Sequence, residues 1–340
     1  GALLCTAAGC IGSGAPDAER VRWTRRPSGS LHRVDETLYV SDRNTMRVHA
    51  RAPSDGSARW STSYDESEVD GPVCVGGDLA SDDRRLYVPG CDALRALGRD
   101  DGAERWAAPD ETGQVAVGDG VVYAKRTDLV ALEAADGSVR WRGAVGGSIP
   151  TRPAVGDGTV VATNREDGVV RSFDPDGTER WTHETGVETR PPTVAGGTVY
   201  VAATADPGRS GRLLALDAAD GSVRWRVDTR SLKRGTRPVV GPDRVFLGCA
   251  GRDAGRLVAH GRADGTRRWS YTDDNGAVYQ PAVAGDRVYA GSNDGALTAF
   301  SRAGDERWQV ETESVVGSVA VDTERVYAST NERLLTAARD

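Results

Sequence analysis

The sequence predicts an all-β fold: an eight-bladed β-propeller of four-stranded antiparallel blades, closed by an N-terminal strand that completes the last blade. Three observations predict it. All eight tryptophans (Trp23, Trp60, Trp106, Trp141, Trp181, Trp225, Trp269 and Trp308) recur at intervals of 35 to 46 residues, and periods of this size mark repeat architectures. Each follows an arginine: Arg22, Arg59, Arg105, Arg140, Arg180, Arg224, Arg268 and Arg307. Seven also follow a turn glycine by four residues (Gly56, Gly102, Gly137, Gly177, Gly221, Gly265 and Gly304), and Asp precedes six of these glycines, Ala303 being the exception.

One copy shows how the strands arise. In VYQPAVAGDRVYAGSNDGALTAFSRAGDERW, residues 278–308, PAVA is a short strand and RVYAG a second. SNDG is a hairpin turn, because Asn, Asp and Gly tolerate positive φ. ALTAF is the third strand and ERWQV the fourth. Four strands per roughly 40 residues is a propeller blade. Alternation along a strand sends neighbouring side chains to opposite faces. Each Trp is therefore expected between blades, with its arginine facing the other way.

Seven complete copies run from residue 24 to Trp308. The chain then ends on LLTAARD, residues 334–340, cut just before the turn that in LLALDAADGSVRW (213–225) leads on to Trp225. Three strands of an eighth copy are thus present without the fourth. ERVRW, residues 19–23, is a lone Trp strand at the other end. It fits as the missing piece, and closure removes exposed sheet edges. The alternative is a seven-bladed ring with frayed ends.

Composition agrees. With 42 glycines, 15 prolines and 38% hydrophobic residues, short strands and tight turns suit the chain better than long helices. No apolar run of 18 residues occurs, so no helical membrane span is expected. A net charge of −7 argues against nucleic acid, whose binding rests on clustered Lys and Arg. Among 43 basic residues only Lys125 and Lys233 are lysines. That bias, with abundant Asp, Ala, Gly and Val, fits a GC-rich, halophilic source.

Residues 1–18 are expected to be a signal-peptide remnant and flexible tether, with 19–340 forming a single domain. In GALLCTAAGC, small residues precede Cys10 as at the end of a secretory leader, so Cys10 is the expected lipidation site. If Cys5 is removed and Cys10 lipidated, Cys74, Cys91 and Cys249 remain. Cys74 and Cys91 fall in one repeat, and an exported protein would permit their pairing. His32, His49, His183 and His260 are scattered without metal-ligand spacing and read as structural or surface residues.

One constellation stands outside the repeat logic. Thr-Arg-Pro occurs at Thr151-Arg152-Pro153, Thr189-Arg190-Pro191 and Thr236-Arg237-Pro238, and Tyr279-Gln280-Pro281 continues the series. Each precedes the innermost strand of a blade, so Arg152, Arg190 and Arg237, with Gln280, are expected at one mouth of the central channel. Guanidinium groups there suit a carboxylate or phosphate. Alternatively, each arginine pairs with a nearby carboxylate such as Glu188.

The frame AxDxxDGxxxW at Ala215 to Trp225, repeated with Glu133 in place of the first Asp at Ala131 to Trp141, resembles the tryptophan-docking repeat of the quinoprotein (PQQ-like) propellers. With a lipidated N-terminus and no extra domain, the chain is most similar to their BamB-like branch. That resemblance implies a monomeric, exported protein, lipid-anchored at the outer face of the cytoplasmic membrane. It implies a non-catalytic scaffold for an envelope or secreted partner, with neither metal nor cofactor. Two other readings stand beside it: a PQQ- and calcium-dependent oxidoreductase, and a binder of a small anion at the channel mouth. Against the oxidoreductase, every Trp is committed to packing and no adjacent Cys pair exists. Acidic residues such as Asp136, Asp167 and Asp294 sit in turns.

Overall fold

The computed structural model describes residues 20–64, 77–109, 111–149, 151–206, 210–229, 236–249, 254–274 and 277–339. They form eight antiparallel sheets, each a blade with its first strand innermost. Blades 1 to 7 span 30–63, 80–109, 114–143, 154–184, 188–229, 239–273 and 282–311. Blade 8 takes three strands from the end of the chain and its outer strand, Val21–Arg25, from the beginning, with Trp23 opposite Thr336. The eight-bladed expectation and the predicted closure hold. No helix among the described residues is long and apolar enough to cross a membrane.

The tryptophans tie each blade to the next. Every indole N–H donates to a backbone carbonyl in the following blade: Trp23 to Pro53 (3.2 Å), Trp60 to Arg99 (2.8 Å), Trp106 to Ala134 (3.0 Å) and Trp141 to Pro175 (2.8 Å). Trp181 reaches Ala218 (3.0 Å), Trp225 Arg262 (3.0 Å), Trp269 Arg302 (2.8 Å) and Trp308 Arg339 (3.2 Å). The indole lies against the turn glycine of that next blade. A Cβ at Gly102 would come within 2.4 Å of the Trp60 ring, and one at Gly221 within 2.7 Å of Trp181. These glycines also hold positive φ, 69° and 73°, where a side chain is strained. The DG-x-x-x-W spacing thus combines a left-handed turn with a flat seat for the neighbouring ring.

The arginine before each Trp has a reason other than alternation. In all eight blades the ladder slips by one residue just before the Trp, as where Ala131 faces Trp141 but Leu132 faces Val139. The arginine is the extra residue of a β-bulge, left unpaired by the ladder. Most of these arginines turn back to a carboxylate at their own blade's turn: Arg105 to Asp101 (2.8 Å), Arg224 to Asp217 (2.9 Å) and Arg268 to Asp264 (2.8 Å). The turn aspartates themselves cap backbone N–H groups, Asp136 for Ser138 and Asp220 for Ser222. Asp167 accepts from Asn164 and Asp294 from the Ala296 N–H. All four do turn chemistry.

The core is a set of layers between blades. Leu94 and Trp106 of blade 2 pack with Val115, Val122 and Leu132 of blade 3. At the seam Trp23, Tyr327 and Leu334 pack with Leu38 and Val40 of blade 1. A second-strand aromatic supports the tryptophan of its own blade in seven of the eight, as Tyr39 does Trp60 at a centroid distance of 5.8 Å. At the seam the turn glycine is missing, and the Arg20 guanidinium covers the Trp308 ring at 5.4 Å instead.

Cys91 is disulfide-bonded, Cys249 is buried, and Cys5, Cys10 and Cys74 lie outside the described residues.

Candidate functional site: the axial channel

Alternation on the innermost strands decides what faces the axis. The position opposite the second-strand aromatic is Ala80, Ala116, Ala282 and Ala320 in four blades. In two others it is Thr193 and Val239, and in blade 4, where Val161 replaces the aromatic, the equivalent position is Ala154. Blade 1 alone places a large polar group there, His32, opposite Tyr39. It projects into an axial cavity of about 220 Å³ whose wall includes Ser81, Ala116, Thr193, Arg152 and Arg237. The His32 Nε2 lies 2.9 Å from the Ser81 hydroxyl.

Arg152 and Arg237 stand two residues before this ring, on blades 4 and 6, and so share its face. Both line the cavity, as expected. Gln280 has the same offset on blade 7 but is half-buried and outside the cavity lining. Arg190 breaks the pattern, and the expectation of three converging arginines is corrected. Blade 5 carries Pro191-Pro192 where blades 4 and 6 carry one proline. Thr189 faces Ala203 while Thr193 faces Tyr200, so the three residues between them oppose two on the other strand. The inserted residue flips the side-chain direction. Arg190 is buried in the wall, with Nη1 on Glu188 (2.9 Å) and Nη2 donating to the Thr204 hydroxyl (3.2 Å). The alternative pairing with Glu188 is realised for this arginine.

The cavity is cationic. Arg152 has one long ion pair, 3.5 Å, to Asp78, whose side chain is 56% exposed at the mouth. Among the described residues the Arg237 guanidinium makes no hydrogen bond or ion pair. Burial and the like charge of Arg152 push its pKa down to about 10, against the pull of Asp78. His32 is held near 4 by burial, then by Arg152, Arg99 and Arg237, opposed by Asp78. It is neutral at pH 7.

The other histidines lie elsewhere. His260 is buried, its Nδ1 2.8 Å from the Gly265 carbonyl, and His49 and His183 belong to other strands. No group of three His, Cys, Asp or Glu placed to hold a metal occurs among the described residues. A calcium-held quinone asks for six to eight oxygen ligands on the metal. This cavity offers two guanidiniums, an imidazole, two hydroxyls and one mouth carboxylate. That donor set does not fit such a group.

The eight-bladed fold and the matching family pattern define the class: a PQQ-like propeller. The chain belongs to the family described as outer membrane protein assembly factor BamB, whose pattern matches residues 90–189 and 166–340. A comparison with curated protein sequences gives no match. Among solved structures, BamB from Moraxella catarrhalis is similar at TM-score 0.73 and 19% identity, over 94% of this chain and 97% of that one. A computationally designed protein, Ika8, reaches 0.75 at 13% identity, covering 92% and 97%. The quinohemoprotein alcohol dehydrogenase of Comamonas testosteroni reaches 0.73 at 14% identity, covering 95% of this chain and 77% of its own. At such identities these likenesses concern the fold.

Proposed function

We propose that this protein is a non-catalytic, envelope-attached scaffold that docks a protein partner on the face of the propeller around the channel mouth. The carrying observation is the asymmetry of the two faces. Opposite the mouth, the connections between strands are two to six residues long. On the mouth side, those between Ser63 and Ala80, Gly143 and Ala154, Thr229 and Val239, and Asp273 and Ala282 run to 16, ten, nine and eight residues. Long connections on a rigid ring are where binding surfaces are built, and family membership supports a role in the envelope. Attachment through a lipid on Cys10 completes the proposal; Cys10→Ser is expected to move the protein from the membrane to the soluble fraction.

The test is affinity capture of the tagged protein from native membranes after mild cross-linking. A stoichiometric partner is expected, lost when the 63–80 connection is shortened. A clean monomer that oxidises alcohols with PQQ, calcium and an electron-accepting dye would overturn the scaffold reading in favour of a quinoprotein.

A further inference from the structure

Within the scaffold, the axial cavity has chemistry of its own. Two arginines from non-adjacent blades meet in a cavity whose lining, among the described residues, holds no carboxylate; Asp78 pairs with Arg152 from outside that lining, at the rim. Like charges held together away from water repel unless an anion compensates them. Arg190 shows what this fold does with an arginine of the same motif when it is structural: it carries the side chain into the wall and supplies Glu188 and Thr204. Among the described residues Arg237 receives no such partners, although it lies in the same cavity as His32 and Ser81. The ring position that is Ala, Thr or Val in seven blades is His only here, which gives the cavity one neutral hydrogen-bonding floor beside its two cations.

We propose that the axial cavity binds one small oxyanion, a carboxylate or a phosphate, held by the guanidiniums of Arg152 and Arg237 with Ser81 and His32 completing the site. Its volume of about 220 Å³ is below the usual range for drug-sized ligands and suits a few heavy atoms. Guanidinium forks match both oxyanions, each through two parallel N–H donations. Asp78 acts as a competing internal anion, drawing Arg152 toward the mouth when the site is empty. Anion binding withdraws positive charge from the surroundings of His32 and so eases protonation of the ring; Arg152, Arg99, Arg237 and Asp78 are the charged groups that act on it.

The experiment is isothermal titration of the full chain, in low-chloride buffer, with inorganic phosphate and separately with malonate. One saturable site is expected for at least one of them. Arg237→Gln should weaken it roughly tenfold or more, as loss of a charge-assisted pair does, and Asp78→Asn should tighten it a few-fold. Arg190→Gln should leave the affinity unchanged. The His32 imidazole resonance, one of only four histidine signals, should titrate at a higher pH when the site is filled. Malonate binding without phosphate assigns a carboxylate ligand; the reverse assigns a phosphate. No saturable binding of either anion up to ~10 mM, or equal affinity in wild type, Arg237→Gln and Asp78→Asn, overturns the proposal and leaves the arginines as channel wall.

Discussion

The rim of this propeller repeats itself eight times, and the axis does not. At the rim, each tryptophan donates to a carbonyl of the next blade, and seven seat on a turn glycine there. At the axis, one ring of equivalent positions holds small residues and a single histidine, and its neighbouring ring holds Asp78, Arg152 and Arg237. The periodic residues hold the ring together. The residues that break the period carry whatever is particular to this molecule.

The sharpest attack on the rim is at its seam. Trp23 is 7% exposed and joins the first strand to blades 8 and 1. Trp23→Ala should lower stability by about 3–5 kcal/mol in equilibrium denaturant unfolding, matching Trp106→Ala. A seam mutant costing under ~1 kcal/mol would show that the ring does not depend on that strand.

Next come the turn glycines. Gly102 (φ 69°) and Gly158 (φ 67°) share a backbone conformation. A Cβ would strike Trp60 at Gly102, while at Gly158 nothing lies within 4 Å. Gly102→Ala should cost about 2–3 kcal/mol and Gly158→Ala only about 1 kcal/mol, read from the same unfolding curves. Equal losses would make backbone conformation, and not the indole seat, the reason for glycine.

Lys125 is a second break in the period, fully buried where the equivalent residues include Ser41, Thr163, Ala202 and Ser329. Its ammonium donates to the Arg126 and Gly146 carbonyls, both at 3.2 Å. Burial lowers its pKa to about 8, against the attraction of Asp128 and Glu166. At this side chain the unfolded state therefore keeps its proton where the folded state has lost it, between pH 8 and about 10.5. The lysine's own contribution to stability should rise through that window, by roughly 2 kcal/mol, while tyrosines whose pKa burial raises, Tyr64, Tyr87 and Tyr327 among them, pull the other way; the difference between wild type and Lys125→Met isolates the lysine.

The smallest effects contrast two arginines of one motif. Arg190→Gln removes a buried ion pair and should destabilise by about 1–2 kcal/mol. Arg237→Gln removes a desolvated charge without partners among the described residues and should change stability by less than ~0.5 kcal/mol. Reversed magnitudes would place Arg190 on the axis and Arg237 in the wall.

Almost all of the rim was legible in the sequence. Tryptophan, arginine, glycine and aspartate at fixed spacing gave blade count and closure, because each does one local job repeated in every blade. The bulge was not anticipated, since strict alternation also separates Arg from Trp. The second-strand aromatics, recurring in RVY and its variants, carry a further periodic signal. The site was only partly legible. Arg152 and Arg237 lay in a visible motif. The extra proline at Pro192 was also visible, and counting back from Thr193 would have turned Arg190 away from the axis. His32 belongs to no motif; only alignment of the inner strands against the second-strand aromatics exposes it.

The seam also fixes how the molecule is presented. Val21–Arg25 is an outer strand that runs from the short-turn side toward the channel mouth, and Arg20 sits over Trp308 where a turn glycine would otherwise be. Arg20 therefore lies on the side opposite the mouth. A tether at Cys10 would work like the stem of a cup. It would hold the short-turn side toward the membrane and turn the opening, with its long connections and its two arginines, outward to meet whatever passes.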